Sequence, residues 1–250
     1  MRSGARRMAD VPPEMRARLE SGVEETRTLA EILVIDFGKL LDAVAPECGR
    51  EVGAALSIRD GVLTRMARGG QAILDRFGPA AFERFRAHPS DTVRGWAAHA
   101  LAQTPNLTLA QRYRKIETLA DDLNSGVREW AWIALRPHVL ADLDGAIKLG
   151  GPWVAGSKVN LRRFAVEVIR PRGVWCAHCP PLKSSPELGL PLLEPLKGES
   201  YRYVQDSVAN WLNDAAKSQP KFVKELCRRW QRESPTAATE RICRRALRSL

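Results

Sequence analysis

Long apolar runs are missing from this 250-residue chain. The best candidate, Leu29 to Phe37, is broken by Glu31 and Asp36, so it falls short of the ~20 apolar residues a membrane helix needs. The first fifteen residues carry arginines but no apolar core. That excludes a secretory signal and leaves residues 1–13 as an expected disordered leader before a single domain over 14–250. Cysteine is scarce, with five in the chain. That is too few for a disulfide framework, and a reducing cytosolic setting is expected. Period-2 alternation is rare and no Asn-Gly or Asp-Gly turn joins β-branched runs, which argues against a β fold. A Gly-rich phosphate loop, a Gly-x-Ser-x-Gly elbow and a His-Glu-x-x-His helix are also missing. Nucleotide hydrolysis, serine-esterase chemistry and zinc proteolysis are disfavoured accordingly. Cys176-Ala177-His178-Cys179 offers half a zinc site, but Cys227 and Cys243 lack ligand spacing. No metal or cofactor is expected, since structural zinc takes four ligands. His88, His99 and His138 are isolated and are given no role.

What is abundant is positive charge. Lys and Arg total 39 against 29 acids, giving +10, and the excess concentrates in Lys221–Leu250, with nine basic residues against three glutamates. Arginine dominates, which suits bidentate contacts to phosphate. Nucleic acid is the leading partner class, although an anionic membrane or an acidic protein fits the charge equally.

One pattern recurs. It reads Val93-Arg94-Gly95-Trp96-Ala97-Ala98-His99-Ala100-Leu101, then Val127-Arg128-Glu129-Trp130-Ala131-Trp132-Ile133-Ala134-Leu135, then Leu161-Arg162-Arg163-Phe164-Ala165-Val166-Glu167-Val168-Ile169, and finally a degenerate Val204-Gln205-Asp206-Ser207-Val208-Ala209-Asn210-Trp211-Leu212. The first three copies start 34 residues apart and the fourth starts 43 further on, after the proline-rich stretch 171–191. Such a period predicts an all-α, HEAT-like solenoid of paired helices. The upstream partners are expected at 79–87, 109–123, 140–149, 188–197 and 220–231, with 24–45 and 58–77 as N-terminal capping helices.

On a helical wheel, Trp96, Trp130, Phe164 and Trp211 join the apolar stripe and are assigned to the core. The other stripe is polar. Glu129, Arg163 and Asp206 occupy one repeat position in successive units, and stacking sets equivalent positions side by side. A plain interhelix salt-bridge ladder and a functional row both fit that pattern. Beyond the third copy, Arg170-Pro171-Arg172-Gly173-Val174-Trp175 ends the helix and turns, presenting two guanidiniums and an indole. Trp175 either folds back as a cap or offers its ring to a base or cation.

The segments VREWAWIALRP (127–137), RRFAVEVIRPRGVW (162–175) and YVQDSVANWLND (203–214) resemble the HEAT-like DNA alkylation repair glycosylases of the AlkC/AlkD superfamily, and the third-copy motif resembles the AlkC branch in particular. The likeness covers about 75–250. It implies a DNA N-glycosylase that excises cationic alkylated bases of the 3-methyladenine, 3-methylcytosine and 7-methylguanine type from duplex DNA in base excision repair, working as a cytoplasmic, nucleoid-associated monomer off the membrane. By this resemblance the catalytic group is Glu167, Glu129, Asp206 and Trp175. Arg163, Arg170, Arg172 and Arg136, with Arg228, Arg229, Arg244 and Arg245 of the basic C-terminal segment, would contact DNA. The AlkD-type Trp-x-x-x-Asp pair is not evident. A non-catalytic DNA-binding repeat protein and a protein–protein scaffold remain as alternatives.

Overall fold

The computed structural model describes residues 3–56 and 60–250. All regular structure among them is helical. Two compact units divide the chain at Leu135 and Arg136.

The first unit opens with a 3-10 turn at Met8–Asp10, followed by α1 (Pro13–Glu20), α2 (Leu29–Val34), α3 (Phe37–Val44) and α4 (Arg50–Ala54). Within the expected leader, the Ala5 N–H donates to the Glu31 carboxylate at 3.0 Å. The helix expected over 24–45 is two helices, because Ile35 is extended and Asp36 caps α3 through the N–H groups of Gly38 and Lys39. Next come α5 (Val62–Phe77), α6 (Ala81–Phe85), α7 (Asp91–Gln103) and α8 (Leu109–Ala120). Ile58, the expected start of α5, lies outside the described residues. α7 carries the first motif and is buried along nearly its whole length, between α5, α6 and α8. The close approach of α5 depends on glycine. A Cβ at Gly69 would sit 2.4 Å from the Trp96 indole nitrogen, and one at Gly70 2.4 Å from the His99 Cβ. Phe37 of α3 then packs edge-on against Trp96 at 5.6 Å, a favoured aromatic geometry.

α9 (Ser125–Ala141) carries the second motif, and its residues from Arg136 belong to the second unit. That unit continues with α10 (Leu143–Ala155), α11 (Val159–Glu167), α12 (Pro180–Ser184), α13 (Leu190–Leu193), α14 (Arg202–Ala216), α15 (Pro220–Glu233) and α16 (Ala237–Ala246). α10 packs on α11, α11 on α14, and α14 on both α15 and α16, the paired-helix layering the repeat predicts. The helix expected at 188–197 is instead a chain of short turns, because Pro186, Pro191 and Pro195 each remove an amide donor. α10 runs on through Pro152, which lies on the exposed side.

The second motif position has a structural job in every copy. Arg94 donates to the carbonyls of His88 and Pro89, Arg128 to those of Asp122 and Leu123, Arg162 to that of Gly156, and Gln205 to those of Glu199 and Ser200. Each reaches back six residues to tie down the turn entering its own helix. Arg94 adds ion pairs to Glu25 and Asp122, and Arg162 one to Glu199. These guanidiniums therefore fix interhelix turns, which would otherwise leave carbonyls unpaired.

Candidate functional site

Glu167 ends α11 and is only 3% exposed. Ionised carboxylates are seldom buried unless paired, and this one is held on both oxygens. Ser207 of α14 donates to Oε1 at 2.6 Å. Arg170 donates to Oε2 at 3.3 Å, and Arg163 lies 3.7 Å from Oε1, one helical turn back. The Arg163 guanidinium also lies over the Tyr203 ring, 4.5 Å from its centre. Arg170 bridges to a second buried acid, Asp214, at 2.6 Å, and Lys217 approaches that acid's other oxygen at 3.3 Å. Burial disfavours the Arg170 cation, but Glu167 and Asp214 outweigh that and push its pKa up.

Asp214 was not among the residues expected from the sequence. The signal lay in register: the second and third copies end Arg136-Pro137 and Arg170-Pro171, whereas the fourth ends Asn213-Asp214. An acid thus falls one unit beyond an arginine.

Past α11 the chain turns tightly. A Cβ on Gly173 would lie 2.3 Å from the Cys176 carbonyl oxygen, so this approach requires glycine. The Cys179 N–H closes the loop onto the Pro171 carbonyl at 3.0 Å. Val174 and Trp175 are left exposed, the indole at 42%. Arg172 turns back to the Asp214 carbonyl and donates to Ser218 Oγ at 2.8 Å.

The remaining expected residues sort by environment. Arg136, expected on phosphate, is 1% exposed and donates to the carbonyls of Val168, Arg170 and Ala177. That expectation is corrected: the side chain caps the end of α11 and anchors the Trp175 loop, and presents no face to a phosphate. Asp206 on α14 is half-exposed and pairs with Arg241 at 2.7 Å and Arg245 at 3.0 Å, both on α16. Arg229 is engaged by Glu194, whereas Arg228 and Arg244 are exposed. In the first unit, Glu129 accepts from the Trp132 indole N–H at 2.9 Å. Among the described residues, no group of three or more His, Cys, Asp and Glu is gathered as a metal site, and no helix is long and apolar enough to cross a membrane.

No protein-family model matches the chain. The uncharacterized protein YhaZ of Bacillus subtilis is 37% identical over 117 residues, which is 47% of this chain and 32% of YhaZ. Among solved structures, the alkylpurine DNA glycosylase AlkC of Pseudomonas fluorescens, bound to DNA containing an abasic site analog, superimposes with a TM-score of 0.69 at 27% identity, over 88% of this chain and 62% of AlkC. AlkD2 from Streptococcus mutans gives a TM-score of 0.61 at 20% identity, over 82% of this chain and 98% of that protein. The chain therefore spans about a third of YhaZ and three-fifths of AlkC. These likenesses define a class of helical-repeat proteins. The chain has the all-helical, HEAT-like fold of the AlkC/AlkD superfamily, as the motif resemblance implies.

Proposed function

We propose that the protein is a DNA N-glycosylase that releases cationic alkylated bases from duplex DNA. One observation carries the reading: a nearly buried carboxylate, Glu167, fixed on both oxygens at the end of α11, directly precedes a loop that exposes an indole. The likeness to an alkylpurine DNA glycosylase supports the same chemistry.

An N3- or N7-alkylated base is already a cation and leaves readily. Its departure builds positive charge on the deoxyribose, which a fixed carboxylate stabilises in an oxocarbenium-like transition state. Glu167 takes that role. Its burial matters, because a carboxylate shielded from bulk water acts at lower effective dielectric. Arg163 and Arg170 hold the acid in place from its own segment of chain. Asp206 orients the attacking water. Trp175 lays its ring face against the cationic base, and Arg172, Arg228 and Arg244 meet the phosphates.

The test is release of 3-methyladenine and 7-methylguanine from methylated duplex DNA. The protein should release one or both, and Glu167→Gln should abolish release while leaving duplex affinity intact. Binding without release by the unaltered protein would refute the reading. Full activity in Glu167→Gln would refute the assignment of the acid.

A further inference from the structure

The fourth motif position is aromatic in three copies, Trp96, Trp130 and Phe164, and serine in the fourth, Ser207. Ser207 is as buried as its counterparts, at 2% exposure, so the site forgoes most of the ~150–250 Å² an aromatic ring would bury. The bulk has moved rather than vanished. At the eighth position the first three copies carry Ala100, Ala134 and Val168, and the fourth carries Trp211. Trp211 is fully buried, and Gly189 makes room for it: a Cβ there would lie 2.4 Å from the indole ring. Its N–H donates to the Ile169 carbonyl at 3.1 Å. The layer between α11 and α14 is thus filled one turn later than in the other copies, and the vacated position holds a small hydroxyl. That hydroxyl donates to Glu167 Oε1 at 2.6 Å, the length of a charge-assisted O–H···O bond.

We infer that Ser207 is a positioning residue that fixes the Glu167 carboxylate for base release, and that the aromatic exchange in the fourth repeat exists to place it. The inference rests on the glycosylase reading above. Arg170 and Arg163 supply charge from Glu167's own segment of chain, whereas Ser207 is the donor that ties the acid to the next repeat. Without it, Oε1 is left with the longer contact to Arg163 among the described residues, and the carboxylate can rotate away from the sugar.

The experiment is single-turnover release of 7-methylguanine from methylated duplex at saturating protein, with affinity for unmodified duplex measured alongside. Ser207→Ala should slow release about tenfold or more, the loss expected for a hydrogen bond to a charged group, and leave affinity unchanged. Ser207→Thr should recover most of the rate. If Ser207→Ala fails to fold, Ser207→Thr and Ser207→Val share one shape and differ in the hydroxyl, so only the threonine form should release base quickly. Two results overturn the inference: wild-type rates in Ser207→Ala, or a threonine form no faster than the valine form. A wild-type protein that releases no base sinks the glycosylase reading itself, and this role with it.

Discussion

Arg136 separates two physical roles that its sequence context leaves undistinguished. If it gripped phosphate, Arg136→Met would lower the salt slope of duplex binding by ~0.9 and leave stability untouched. The structure assigns the opposite. The guanidinium donates to Val168 O at 2.7 Å, to Arg170 O and to Ala177 O at 3.1 Å, and is sealed from water. Methionine fills much of the volume but leaves the buried Val168 carbonyl unpaired, at ~1–3 kcal/mol, and strips the part-buried carbonyls of Arg170 and Ala177 of their donor. Relief from burying a cation offsets part of that, because burial alone already works against this charge. A net loss of about 2 kcal/mol follows, or a fall in Tm of about 4–8 °C for a chain of this size. The acceptors flank the Trp175 loop, so proteolysis between Pro171 and Cys179 should accelerate in the same variant. Arg136→Lys should recover little, since an ammonium cannot span three carbonyls as the planar fork does. Thermal unfolding and a salt titration of duplex affinity decide the matter. An unchanged Tm together with a slope reduced by about one charge would refute the structural assignment.

The exposed arginines should behave in the reverse sense. Arg228→Gln and Arg244→Gln should each lower the salt slope by ~0.9 without changing Tm, and Arg229→Gln by less, because Glu194 already engages that guanidinium; equal slopes for all three would contradict this ranking. Trp175→Ala removes a half-exposed ring, so stability should hold while binding to an alkylated or abasic duplex weakens by ~1–3 kcal/mol, as for loss of one stacked base, measured by fluorescence anisotropy. His99 is 7% exposed, and burial holds its pKa down at about 4 against 6.5 ordinarily. The unfolded chain therefore binds a proton that the fold excludes, and stability present above pH 6.5 is lost as the pH falls toward 4. Urea unfolding should show about 2 kcal/mol less stability from this residue at pH 5 than at pH 7, and His99→Leu should flatten that difference.

The repeat was legible because its register rests on apolar spacing, which tertiary context rarely overrides. Trp96, Trp130, Phe164 and Trp211 all lie in the core, as the wheel placed them. The helix expected at 188–197 does not form as one element, because Pro191 and Pro195 interrupt its apolar pattern. Each proline there deletes a donor, and three within ten residues hold the stretch to elements of three or four residues. The site was legible only in part. Glu167 and the Arg-Pro-Arg loop announced themselves as charges beside a helix end. Asp214, Ser207 and the carbonyl-binding side of Arg136 did not, because a polar residue reads alike in sequence whether it meets water, a carboxylate or a backbone oxygen.

That ambiguity bears directly on the charge argument that first pointed to nucleic acid. The excess of +10 is a property of the whole chain, but counterion release counts only guanidiniums that exchange solvent ions for phosphates. Arg94, Arg128 and Arg162 are committed to their own interhelix turns. Arg136 is sealed against carbonyls, and Arg170 is shared between Glu167 and Asp214. Arg128 aside, whose acceptors are exposed or half-exposed, none of these can trade its partner for a phosphate without leaving a buried or half-buried acceptor or carboxylate unpaired, a cost comparable to what one phosphate contact returns. Under the proposed function, the arginines left to meet DNA are the half-exposed Arg172 and the exposed ones of α15 and α16. Basic composition therefore does two separable jobs in this fold. One set of guanidiniums builds the repeats and fixes the acid, and a smaller set remains for the proposed duplex.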